Sequence, residues 1–173
     1  MALEEALRVQ ANTDSLTGLA NRGAFLERGT IDFGRAKRFG GKLSVIMVDA
    51  DHFKRVNDVH GHGVGDAVLV TLARTVSEAM RNDLDLVGRM GGEEFAIILA
   101  HAELQEAAAC AKKIRTMVAA HDFEGAGGTF RISVSFGVAD IRPADDAFAV
   151  VLNRADQALY SAKDNGRNRV VLA

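Results

Sequence analysis

Leu86-Val87-Gly88-Arg89-Met90-Gly91-Gly92-Glu93-Glu94-Phe95-Ala96-Ile97-Ile98-Leu99 holds two β-prone apolar runs on either side of a glycine pair. Glycine tolerates the positive φ of a two-residue hairpin turn, so the stretch reads as strand 86–90, a turn on Gly91-Gly92 and strand 94–99. Its tip carries Glu93 and Glu94. Consecutive carboxylates repel unless a cation or solvent takes up their charge, so a turn that only connects strands gains nothing from them. The tip is therefore a candidate cation site.

Upstream, Leu43-Ser44-Val45-Ile46-Met47-Val48-Asp49-Ala50-Asp51 reads as a strand over 43–49, buried on both faces and ending in acids. This reading sends Asp49 and Asp51 to opposite sides of the sheet, so that only one of them faces the hairpin tip. If the hairpin lies beside this strand, Asp49 or Asp51 joins Glu93 or Glu94 in an all-oxygen site of the kind that holds magnesium against phosphates.

Around these two anchors the chain alternates in period. Asn21 caps a helix through Phe25, Leu26 and Phe33 to about residue 39, weakened by Gly29 and Gly34. Residues 54–60 read as a short helix or turn, followed by a helical stripe of Val64, Val68, Leu69, Leu72, Val76 and Met80. Leu104, Ala107, Ala108, Ala111, Ile114 and Val118 make a second stripe, ending before a loop at 125–128. Residues 130–139 alternate as one strand, Pro143 marks a turn, 145–164 read as a helix and 169–173 as a closing strand. Phe148, Val151, Leu152, Ala155 and Leu159 are that helix's inward positions. The order α-β-α-β-β-α-β-α-β predicts an α/β (α+β) fold, a mixed sheet covered by helices with a ferredoxin-like βαββαβ core.

At this point a resemblance carries weight. Gly91-Gly92-Glu93-Glu94-Phe95 matches the GGEEF form of the GGDEF domain, and Asp14-Ser15-Leu16-Thr17-Gly18-Leu19-Ala20-Asn21-Arg22 matches its DxLTGLxNR opening. Asp49-Ala50-Asp51-His52-Phe53-Lys54-Arg55-Val56-Asn57-Asp58 resembles its DxDxFKxxND segment, followed by Gly61-His62 and Gly65-Asp66. Tyr160-Ser161-Ala162-Lys163-Asp164-Asn165-Gly166-Arg167-Asn168 resembles its YxAKxxGRN. The family comprises diguanylate cyclases, which join two GTP into cyclic di-GMP, on a fold related to nucleotide cyclases and polymerase palms. The resemblance implies a catalytic domain over 13–173. Residues 1–12, strong helix formers with Leu3 and Leu7 four apart, would then end a signalling helix leading from a missing upstream sensor.

The resemblance also distributes roles. Asp49, Glu93 and the Ala50 carbonyl are the expected ligands of magnesium, or of manganese in its place. Glu93 or Glu94 assists deprotonation of the attacking hydroxyl, and Lys54 brings positive charge to the triphosphate. The amides of His52 and Phe53, with Gly92, Lys163 and Arg167, are expected against the phosphates. Asn57 and Asp66 match the base-recognising positions, where a carboxylate suits the N1–H and N2–H of guanine. His62 is expected either in a structural role or near the ribose. The alternative is an inactive module that binds GTP or cyclic di-GMP; the intact Gly91–Phe95 motif argues for the enzyme.

One departure concerns regulation. Family members under product feedback carry RxxD before the GG pair, and that window here reads Asn82-Asp83-Leu84-Asp85. An amide at position 82 lacks the charged bidentate fork that grips a guanine edge, so Asn82 and Asp85 form a degenerate inhibitory site.

Composition narrows the remaining classes. The 173 residues suit one domain, and 48% hydrophobic and 25% charged residues are ordinary globular values. Twenty-one basic against 23 acidic residues leave a net charge of −2, which offers no footprint for a nucleic-acid polymer or an anionic membrane surface. Apolar runs of about six residues fall far short of the roughly 20 that span a bilayer. A cytoplasmic location is expected, any membrane tether belonging to the missing upstream part. The single Cys110 has no partner cysteine, and Asp51, His60 and His62 lack a fourth ligand for zinc.

Overall fold

The computed structural model describes residues 11–81 and 83–173. Most of the expected signalling helix, and Asn82, lie outside the described residues. The elements run α1 (Arg22–Phe39), β1 (Leu43–Ala50), α2 (Phe53–His60), α3 (His62–Glu78), β2 (Leu86–Gly91), β3 (Glu94–Ala100) and α4 (Leu104–Ala119). Then follow β4 (Phe123–Gly125), β5 (Gly128–Phe130), β6 (Val134–Asp140), α5 (Phe148–Asp164) and β7 (Val170–Leu172).

The main sheet has the order β2-β3-β1-β6-β7. β1 lies antiparallel to both β3 and β6, and β7 parallel to β6. Within it, β1, β2, β3 and β6 with their connecting helices form the ferredoxin-like βαββαβ unit, as the sequence predicts. Every residue of β1 is buried. Its even positions, Ile46, Val48 and Ala50, join Phe95, Ile97, Phe136 and the α3 and α4 stripes in one core. Its odd positions, Leu43, Val45 and Met47, pack with Phe25 and Phe33 of α1 and Val151, Ala155 and Leu159 of α5 in another. Each such aliphatic or aromatic side chain contributes roughly 1.5–3 kcal/mol on burial, so the two cores pin the register of β1 from both sides.

Local chemistry explains the element ends. The Asn21 side chain accepts from the Ala24 amide at 3.0 Å and caps α1, and Gly40, at φ 67°, closes it. Gly137 has a packing role instead: a Cβ there would lie 2.0 Å from the Ala155 carbonyl, so its bareness lets α5 rest on the β6 backbone.

Three expected boundaries change, and the helix-or-turn alternative at 54–60 resolves as the helix α2. The hairpin turn is Gly92-Glu93, one residue later than expected, because a register shift between Arg89 and Gly91 brings Gly91 opposite Glu94. Glu93 is thus the tip and Glu94 the first residue of β3. The single strand over 130–139 is broken: β5 pairs with β4 in a separate ribbon turning at Ala126-Gly127, and β6 starts at Val134. Period-two alternation is the same on either side of such a break, so it cannot mark where a strand changes partner. Two helices, α2 and α3, meet at Gly61 (φ 87°). The last helix begins at Phe148 rather than 145, because the Asp145 carboxylate binds the Arg142 amide at 2.7 Å and pairs with Arg154.

Candidate active site

The ends of β1 and α5, the start of α2 and the β2–β3 turn converge at one end of the central strands. Asp49 is paired across the sheet with Glu94, and the Ala50 amide donates to the Glu93 carbonyl at 3.3 Å. The turn therefore lies over the end of β1, and the backbone alone brings the two acidic motifs together.

Asp49 is nearly enclosed, with its side chain 7% exposed, and the ammonium of Lys163 lies 2.7 Å from its Oδ2. Burial pushes the Asp49 carboxyl up to about 6, reinforced by the charges of Glu93 and Glu94 and opposed by Lys163. A buried carboxylate facing two more acids, with a single lysine for compensation, has room for further positive charge. Among the described residues, no three His, Cys, Asp or Glu side chains form a ready-made metal cluster. The expected ligand set offers two carboxylates and one carbonyl.

Asp49 and Asp51 do not point to opposite sides of the sheet. Residues two apart in an extended chain share a face, and both carboxylates reach toward the end of α5. They differ in their partners. Asp51 accepts from Ser133 Oγ and Ser135 Oγ at 2.6 Å each and from the Asn168 amide at 3.0 Å. With these donors it braces the loop after α5, leaving Asp49 as the one that faces the acidic turn. That loop is left-handed over Gly166 (φ 111°), Arg167 (φ 64°) and Asn168 (φ 47°). Arg167 therefore stands beyond the helix end at Asp164, on the loop, while Lys163 lies in the last turn of α5.

The remaining expected residues sit on α2 and α3. His52 (φ 55°) turns the chain out of the strand end into α2, whose first-turn amides, at Phe53 and Lys54, have no acceptor within a helix start. Lys54 is exposed and Phe53 buried. Asn57 in the last turn of α2 and Asp66, just past the first turn of α3, flank the corner at Gly61, with exposed His62 between them.

Two residues escaped the sequence reading. Arg89 Nη1 pairs with the Asp14 carboxylate at 3.1 and 3.2 Å, while its Nη2 and Nε donate to the Gly92 carbonyl at 2.8 and 3.0 Å. Asp14 in turn accepts from the amide and hydroxyl of Thr17 at 2.9 and 2.7 Å. Arg89 thus ties the opening loop to the acidic turn. Its only sequence signal is a lone charge in a strand otherwise made of apolar residues and glycine.

At the degenerate inhibitory window, the Asp85 side chain is 1% exposed and Arg81 grips it, Nη2 to Oδ1 at 2.7 Å and Nε to Oδ2 at 3.0 Å. The same guanidinium donates to the Ala100 carbonyl at 2.5 Å.

A family model described as "Diguanylate cyclase, GGDEF domain" matches residues 11–169. The chain is 40% identical over 169 residues to diguanylate cyclase DgcP of Pseudomonas aeruginosa, covering 98% of this chain and 25% of that protein. It is 42% identical over 167 residues to a diguanylate cyclase of Vibrio cholerae, covering 96% of this chain and 51% of that protein. The chain thus spans between a quarter and about half of these relatives. Among solved structures, the coiled coil and GGDEF domain of DgcB from Caulobacter crescentus, in complex with c-di-GMP, superposes with a TM-score of 0.94. It is 33% identical, and the match covers 99% of this chain and 91% of that one. The active GGEEF domain of a diguanylate cyclase from Vibrio cholerae gives a TM-score of 0.84 at 39% identity, covering 89% and 97%.

Proposed function

The chain belongs to the GGDEF domain family of diguanylate cyclases, and on that premise we propose that it condenses two GTP into cyclic di-GMP and two pyrophosphates. Each subunit of a face-to-face dimer holds one GTP, because the 3′-hydroxyl of each substrate attacks the α-phosphorus of the other. The observation that carries this reading is the pairing of Asp49 with Glu94 beneath the Glu93 turn, at a strand end that opens onto the start of α2.

Magnesium fits the donor set: hard oxygen ligands from Asp49, Glu93 and the Ala50 carbonyl, at a point where one buried and two half-buried acids share a single lysine. When bound there, it supplies neutralisation of phosphate charge and lowers the barrier to deprotonating the hydroxyl. The chain's own groups do the rest. The first-turn amides of α2 and the Lys54 ammonium hold the phosphates. Lys163 stands beside Asp49 and exchanges part of that contact for phosphate oxygens, and Arg167 reaches them from the loop beyond. Glu94, fixed by the β1 pairing, takes the hydroxyl proton. Asn57 and Asp66 accept from guanine's N1–H and N2–H, which adenine does not offer.

Incubation of the purified chain with GTP and magnesium, with chromatographic separation of nucleotides, tests the reading. Cyclic di-GMP is expected from the chain and not from its Glu93→Ala variant. GTP binding without product would overturn it in favour of a binding module.

A further inference from the structure

Gly61 is the corner between α2 and α3, and the residues one helical turn to either side of it, Asn57 and Gly65, lie against each other. A Cβ placed on Gly65 would stand 1.9 Å from Asn57 Oδ1, closer than any real contact allows, and 3.0 Å from its Cγ. Beyond Asn57, the nearest atom is Phe53 Cζ at 3.2 Å. Gly65 is buried and precedes Asp66. The bare Cα is thus the floor on which the Asn57 amide rests, next to the carboxylate that completes the guanine-reading pair.

We propose that Gly65 is a positioning residue for guanine selectivity, holding Asn57 in the one orientation in which it and Asp66 address the same base edge. The inference rests on the assignment of Asn57 and Asp66 to the base. Any side chain at 65 must move the Asn57 amide first, because that amide is the far end of a flexible side chain whereas the helix backbone beneath it is fixed. Alanine there leaves the fold in place and costs the hydrogen bond. Ordinary helix packing makes no such demand, since glycine inside a helix is itself unfavourable relative to alanine by up to about 1 kcal/mol.

The test is equilibrium binding of GDP and IDP, which differ only in the 2-amino group, to the purified chain and to Gly65→Ala, Asn57→Ala, the double variant and Asp66→Asn. Melting curves are recorded for each. Gly65→Ala is expected to bind GDP about tenfold more weakly and to lose most of the GDP-over-IDP preference, as Asn57→Ala does. The double variant is expected to bind no worse than Asn57→Ala, because the group that the new methyl displaces is already gone. If Gly65→Ala fails to fold, a folded double variant with the binding of Asn57→Ala carries the same conclusion. Wild-type binding by a folded Gly65→Ala, or a loss that adds to that of Asn57→Ala, would overturn the role of Gly65. An unchanged preference in both Asn57→Ala and Asp66→Asn would instead overturn the assignment of the base site, and the proposal with it.

Discussion

Lys163 Nζ lies 2.7 Å from Asp49 Oδ2, so one lysine from the end of α5 compensates the carboxylate that faces the acidic turn. Burial still wins, because the Asp49 carboxyl is raised to about 6 despite this contact. In the fold, its ionised form is disfavoured relative to the unfolded chain. Stability carried by this group is fully present below its ordinary value of 3.8 and lost as pH rises through about 6.

Asp49→Asn should therefore raise the melting temperature of the nucleotide-free chain at pH 7.5. A gain on the order of 2 kcal/mol corresponds to about 5 °C at this size. The gap should close as pH falls from 6 toward 4. With magnesium and GTP the order should reverse, since only the wild type keeps its ligand. Differential scanning fluorimetry across pH 4–8 reads both effects, and a variant less stable than wild type at pH 7.5 without nucleotide contradicts the burial argument.

Arg89→Ala removes the guanidinium that links Asp14 to the Gly92 carbonyl. The turn then loses its tie while β2 and β3 remain paired, so kcat should fall by roughly a hundredfold, with only a few degrees lost in melting. Lysine should not rescue it, because one ammonium cannot reproduce the fork that spans both acceptors. Recovery of activity in Arg89→Lys would show that charge alone is required.

Product feedback through the RxxD window should be weak. Arg81 is committed to Asp85 and to the Ala100 carbonyl, and Asp85 is nearly sealed from solvent. Initial rates should stay flat as cyclic di-GMP is added, in the wild type and in Asp85→Ala alike. Tight binding of cyclic di-GMP that disappears in Asp85→Ala would contradict this.

Arg154→Ala should destabilise the domain far from the chemistry. Asp145 is 4% exposed, and both of its carboxylate oxygens bond Arg154, at 2.5 and 2.9 Å. Removing one partner of a buried pair leaves a charge without compensation, at a cost of about 3 kcal/mol. That is roughly 10 °C in melting temperature, which calorimetry measures directly.

Legibility in the sequence followed the physics of each feature. β1, with all its residues buried, and the stripes of α3 and α4 are written as uninterrupted or 3.6-period apolar patterns, and their ends fell within a few residues of expectation. The acidic tip was legible because Glu93 and Glu94 gain nothing from a plain turn. What the sequence could not carry was register. The one-residue slip that makes Glu93 the tip depends on the irregularity between Arg89 and Gly91, and the partner change after Phe130 leaves alternation untouched. Long-range polar contacts were equally silent: Arg89 with Asp14 spans 75 positions, and Asp51 with Ser135 spans 84.

The dependence of the initial rate of cyclic di-GMP formation on protein concentration, at saturating GTP and magnesium, bears most directly on a cyclase that needs two copies. The expected curve rises more steeply than linearly at low concentration and becomes linear once the chains are paired, with Glu93→Ala flat throughout. A rate linear in protein down to the lowest concentrations, where no dimer is detectable by light scattering, would contradict the face-to-face mechanism.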